Sequence, residues 1–82
     1  MKIHNATDQE VDYEIRGGEL GHMIGKGWLD PGDEDEWEPH TEYDTVRLRF
    51  GDDSGPLCES EVDIDGRAEL HKEGEVFVIK SA

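Results

Sequence analysis

Glu10-Val11-Asp12-Tyr13-Glu14-Ile15-Arg16 alternates charged and apolar residues without an error. A side-chain period of two belongs to a strand with one buried face, so Val11, Tyr13 and Ile15 point inward. The rhythm returns in Thr45-Val46-Arg47-Leu48-Arg49-Phe50, with Val46, Leu48 and Phe50 inward, and in Glu61-Val62-Asp63-Ile64-Asp65. Glu34 to Glu38 repeats it more weakly, with Trp37 inward. Lys2-Ile3-His4 opens a first strand, and Leu20 to Ile24 offers another.

Between these runs stand strong turn formers: Gly17-Gly18, Asp30-Pro31-Gly32-Asp33, Gly51 to Pro56, Asp65-Gly66 and Glu73-Gly74. Strands spaced in this way predict one all-β domain over residues 1–82, an antiparallel sandwich or small barrel of about seven strands. Arg67 to Glu73 reads as a strand joined to the preceding one by Asp65-Gly66. A short helix capped by Gly74 is the alternative, and two isolated helical turns are marginal. Val76-Phe77-Val78-Ile79 is apolar on both faces, which predicts a central strand covered on both sides. The other reading has Phe77 and Ile79 buried by a second chain, making the protein a homo-oligomer or assembly subunit. The Asn5-Ala6-Thr7 turn, the alternating strand after it and the Leu29-Asp30-Pro31-Gly32 turn together resemble small Ig-like sandwiches over about the first forty residues.

Composition narrows the functional classes. The chain has 82 residues, 22 Asp+Glu against 8 Lys+Arg, and a formal charge of −14. Low hydrophobicity with high charge is a disorder signature, and the strict alternation argues against it here. Phosphate neutralisation needs clustered Lys and Arg, so direct nucleic-acid binding and an anionic membrane surface are not expected. No run reaches the ~20 apolar residues of a membrane span, and Met1 to Asn5 has no apolar signal core. Cys58 is the single cysteine, which excludes an intrachain disulfide and points to a reducing cytoplasm.

The most distinctive stretch is Asp30 to Asp44. It holds Asp30, Asp33, Glu34, Asp35, Glu36, Glu38, Glu42 and Asp44, and no Lys or Arg. Such a one-sign field repels itself and steers oppositely charged partners. Three readings follow. The run and Trp28 bind a basic protein, as an inhibitor or immunity-type protein would. Alternatively, carboxylates from two loops converge on Ca²⁺, although the stretch lacks the D-x-[DN]-x-[DN]-G spacing of a calcium loop. In the third reading the run is a solvated acidic surface. The first is the expectation carried forward, with no cofactor.

Other constellations are weaker. Arg47 and Arg49 share an outward face, and Glu34, Glu36 and Glu38 share another. If their strands are neighbours, cross-strand ion pairs form. His4, His22, His40 and His71 show no H-x-H or H-x-x-x-H spacing, so any zinc site would have to be assembled across strands. Gly17 to Gly27 fails the P-loop pattern and reads as a bulged, kinked hairpin. Trp28 is expected in the core; exposed beside the acidic turn, it would be a recognition anchor. Asn5-Ala6-Thr7 matches a glycosylation site and reads as a turn. Neither Ser54, Ser60 and Ser81 nor Cys58 sits in a nucleophile's setting, so no enzyme is expected.

Overall fold

The computed structural model describes residues 1–18, 20–38 and 42–81. Eight strands follow in order: β1 (Lys2–Asn5), β2 (Val11–Gly17), β3 (His22–Leu29), β4 (Glu34–Glu36), β5 (Thr45–Asp52), β6 (Gly55–Asp63), β7 (Arg67–Glu73) and β8 (Val76–Ser81). They form two four-stranded sheets, β4-β1-β7-β8 and β3-β2-β5-β6. Among the described residues there is no helix, and so none long and apolar enough to cross a membrane. The fold is an all-β sandwich.

The alternating runs do what their period requires. Val11, Tyr13 and Ile15 of β2 meet Val46, Leu48 and Phe50 of β5 in the core, with Ile3, Leu29, Val62, Ala68 and Leu70. Tyr13 pairs with Phe50 and Ile15 with Leu48 across the antiparallel β2–β5 ladder. Arg67 to Glu73 is a strand, and Ala68 and Leu70 are fully buried. The hairpin after β2 is bulged between Ile15 and Arg16, in keeping with its glycines.

Three expectations need correction. The pairing is not wholly antiparallel: β1 runs parallel to β7, Lys2 opposite Arg67 and Asn5 opposite Leu70. Between β1 and β7 the chain passes twice through the other sheet, and such a crossover allows a parallel pair. The eight strands accord with the count of about seven. Leu20 to Ile24 is not a strand of its own; Leu20 is 83% exposed in the turn and the strand runs from His22 to Leu29. Last, β8 is not a central strand. It lies at a sheet edge beside β7, with Phe77 and Ile79 packed toward the core and Val76 62% exposed. Its two apolar faces therefore differ: one covers this chain's own core, and the other faces solvent.

The expected pairing of Glu34, Glu36 and Glu38 with Arg47 and Arg49 does not form either. β4 hydrogen-bonds to β1 in one sheet, and β5 lies in the other. Arg47 and Arg49 instead share Glu59 of β6, at 3.4 and 3.3 Å. Glu34 pairs with Arg67 of β7 at 2.9 Å.

The outward register of the second sheet explains where the charge goes. Lys26, Glu14, Arg49 and Glu59 lie in one row across β3, β2, β5 and β6. The next row holds Met23, Arg16, Arg47 and Glu61. With Asp12 and Asp63, this face carries four cations and five carboxylates, close to balance. The chain's excess negative charge is therefore carried by its loops, its sandwich ends and the β4 rim.

Candidate partner-binding surface

The acidic stretch starts at the turn between β3 and β4, two edge strands on the same side of the sandwich. Asn5 builds that turn. Its side chain is fully buried, and its Nδ2 donates to the carbonyls of Gln9 (2.8 Å), Leu29 (3.2 Å) and Asp30 (3.3 Å). Its Oδ1 accepts from Thr7 N at 3.0 Å and Thr7 Oγ1 at 2.6 Å. The Asn5 backbone accepts from Gly32 N and donates to Asp33 O. Asn5-Ala6-Thr7 is thus a folding motif, and its amide is closed to glycosylation in the folded chain.

The eight acids of the run do not form one patch. Asp30 and Asp33 are exposed in the turn. Glu34 is neutralised by Arg67. Asp35 points inward and accepts from the Tyr13 hydroxyl at 2.9 Å, tying β4 to β2 of the other sheet. Glu36 is exposed opposite Lys2, and Glu38 is exposed beyond the strand end. Glu42 and Asp44 are exposed near the start of β5, which pairs toward the Gly17 end of β2; Asp30 lies at the Val11 end. The run therefore passes from one end of the sandwich to the other along its rim.

Trp28 is the clearest departure from expectation. It is 70% exposed, not buried. It sits on the outward face of β3, opposite Asp12 and two residues before Asp30. The inward positions beside it explain why. Trp37 and Tyr13 already fill the space under β3: a Cβ at Gly25 would lie 2.6 Å from Trp37 Nε1, and one at Gly27 2.6 Å from the Tyr13 hydroxyl. Only glycine fits at those inward positions, and the alternation turns Trp28 outward.

Sequence reading missed the partners of Asp30. Glu10 precedes β2, Asp53 sits in the β5–β6 turn, and both come to the Asp30 end. A hydrogen bond and then the charge of Asp30, with desolvation and the charge of Asp53, push the Glu10 carboxyl above its ordinary value. Asp52 beside them moves the other way, its carboxylate held down by hydrogen bonds from the Ser54 hydroxyl and amide. Crowding from loops far apart in the chain leaves no local motif; only the shared turn chemistry of the two hairpin ends hints at it.

Among the described residues no three His, Cys, Asp or Glu side chains are placed to hold a metal ion. His4 and His71 lie on neighbouring strands and face Glu69, at 3.0 and 3.6 Å. His40 lies outside the described residues. Cys58 is half-buried against the core, and burial pushes its thiol up, away from nucleophilic use.

No protein-family model, curated protein or solved structure matches this chain.

Proposed function

We propose that the chain is a non-enzymatic interaction protein of the reducing cytoplasm that binds a basic protein partner, in the manner of an inhibitor or immunity-type protein. The observation that carries this reading is Trp28, exposed on an edge strand between Asp12 and Asp30, at the sandwich end where Glu10, Asp30 and Asp53 crowd together. Crowded carboxylates are relieved by an incoming cation. A guanidinium can also stack on an indole face within about 6 Å of its centroid. Buried aromatic anchors inside a polar rim dominate many interfaces. Of the expected site, Trp28, Asp30 and Asp33 form the centre, joined by Glu10, Asp12 and Asp53. Glu36, Glu38, Glu42 and Asp44 add long-range steering, and Glu34 and Asp35 serve the fold.

An arginine-rich peptide is the probe. Binding should quench or shift Trp28 fluorescence and weaken steeply between about 50 and 200 mM salt, because exposed charges are screened over roughly a Debye length. Trp28→Ala and Asp30→Asn should each weaken it about tenfold without lowering the melting temperature. Salt-insensitive binding, or unchanged affinity in Trp28→Ala, would overturn the reading.

A second reading, self-association through β8, is favoured by the exposed Val76 on a free sheet edge. A solution mass near twice 9.3 kDa, lost in Val76→Lys, would select it.

A further inference from the structure

At the opposite end of the second sheet from Trp28, Arg16 of β2 lies directly across from Arg47 of β5. Like charges directly opposite in a ladder are destabilising, and this chain has few cations to spend. Glu14 holds Arg16 through Nε and Nη2 at 3.2 and 3.1 Å, and the Gly21 carbonyl holds its Nη1 at 3.0 Å. Its guanidinium is therefore fixed in place before any ligand arrives. Arg47 is 55% exposed and makes one long contact, from Nη1 to Glu59 Oε1 at 3.4 Å.

Beside this pair opens a cleft of about 540 Å³. The Tyr43 ring lies on the Gly17 backbone, where a Cβ would stand 2.6 Å away, and forms one wall. Asp44 and Glu61 also line it. The cleft thus presents two cations, two carboxylates and an aromatic wall. A simple anion meets Asp44 and Glu61, and a simple cation meets the arginines. A molecule carrying both signs satisfies all four.

We propose that this cleft binds a small amphoteric ligand, with a carboxylate on the Arg16–Arg47 pair and an ammonium or guanidinium facing Asp44 and Glu61. Apart from Asp44, which only steers in the first reading, the residues differ from those at Trp28, so the two proposals stand or fall separately. Free amino acids and peptide segments share this chemistry.

The test is amide NMR titration of the intact chain with four probes: free lysine, an end-blocked Lys-Glu dipeptide, acetate and methylammonium. Lysine or the dipeptide should give saturable shifts at Gly17, Gly18 and Gly21, and whichever binds identifies the source. Acetate and methylammonium alone should bind at least tenfold more weakly. Arg47→Gln should weaken the amphoteric probe at least tenfold, and Lys26→Gln, outside the cleft, should leave it unchanged. Glu61→Gln should narrow the gap between that probe and acetate. The proposal is overturned if neither amphoteric probe saturates, if methylammonium binds as well, or if folded Arg47→Gln keeps full affinity.

Discussion

The Tyr13 hydroxyl donates to Asp35 Oδ2 at 2.9 Å and so joins β2 of one sheet to β4 of the other. Tyr13 is nearly fully buried, and desolvation first, then the bond to Asp35, pushes its phenol up to about 12. A group raised in the folded state stabilises below its unfolded pKa near 10 and loses that contribution as pH climbs through the folded value. Absorbance at 295 nm during alkaline titration should therefore show one phenol ionising near pH 12, together with loss of fold. Tyr13→Phe should remove that late phase and cost about 1 kcal/mol, the usual worth of one hydrogen bond.

Asn5 is the most demanding polar residue. Replacing it with Ala removes its bonds to three carbonyls and to the Thr7 amide and hydroxyl at a buried site, although Gln9 O keeps Thr7 Oγ1 and Asp30 O keeps Asp33 N. At about 1–3 kcal/mol for unsatisfied buried groups, Asn5→Ala should cost about 3 kcal/mol. For a domain of this size that lowers the melting temperature by roughly 10–20 °C. Ala6→Ser, one residue on and exposed, should leave it within about 2 °C, and calorimetry on both checks the contrast.

Gly27→Ala should be costly although it lies on an edge strand. Its Cβ would meet the Tyr13 ring at 2.6 to 2.8 Å, a position fixed in turn by Asp35. Overpacking of this kind costs about 1–3 kcal/mol. Lys26→Ala, the neighbouring residue on the outward face, should be within about 0.5 kcal/mol. Urea denaturation separates them, and equal midpoints would contradict the packing described.

Two carboxyls should titrate in opposite directions. The His4 hydrogen bond, with help from His71 and Arg67, holds Glu69 below its ordinary 4.5, whereas Asp30 raises Glu10 above the same value. Glu69 thus stabilises the fold above its ordinary pKa, and that contribution fades as pH falls through the lowered value. Glu10 does the reverse and disfavours folding once ionised. Carboxyl NMR should show His4→Gln returning Glu69 toward 4.5 and Asp30→Asn returning Glu10 toward 4.5, each without moving the other.

Whatever follows from a period of two is legible in the sequence. Val11, Tyr13, Ile15, Val46, Leu48 and Phe50 are buried because alternation places them on one face, and local order suffices to say so. Alternation with Leu29 sends Trp28 outward, but the glycines at 25 and 27 hide that period, because the inward space is filled by Trp37 and Tyr13 from other parts of the chain. Arg47 finds Glu59 and not Glu34 because sheet membership is decided by the crossover between β4 and β5, which carries no periodic signal. The acidic site is legible as a composition and not as a place. Its residues traverse the rim, and the carboxyl that Asp30 pushes up, that of Glu10, comes from another part of the chain.

The parallel seat of β1 between β4 and β7 has a kinetic consequence. Ile3 lies opposite Ala68 and Asn5 opposite Leu70, so β1 gains its central position only after β7, more than sixty residues on, has been made. On a ribosome, the two hairpins of the second sheet can close while β1 waits with Ile3 uncovered. Pairings at such sequence separation slow folding. The segment that anchors the Asp30 turn is then locked late, and the Asp30 end of the molecule matures after the second sheet.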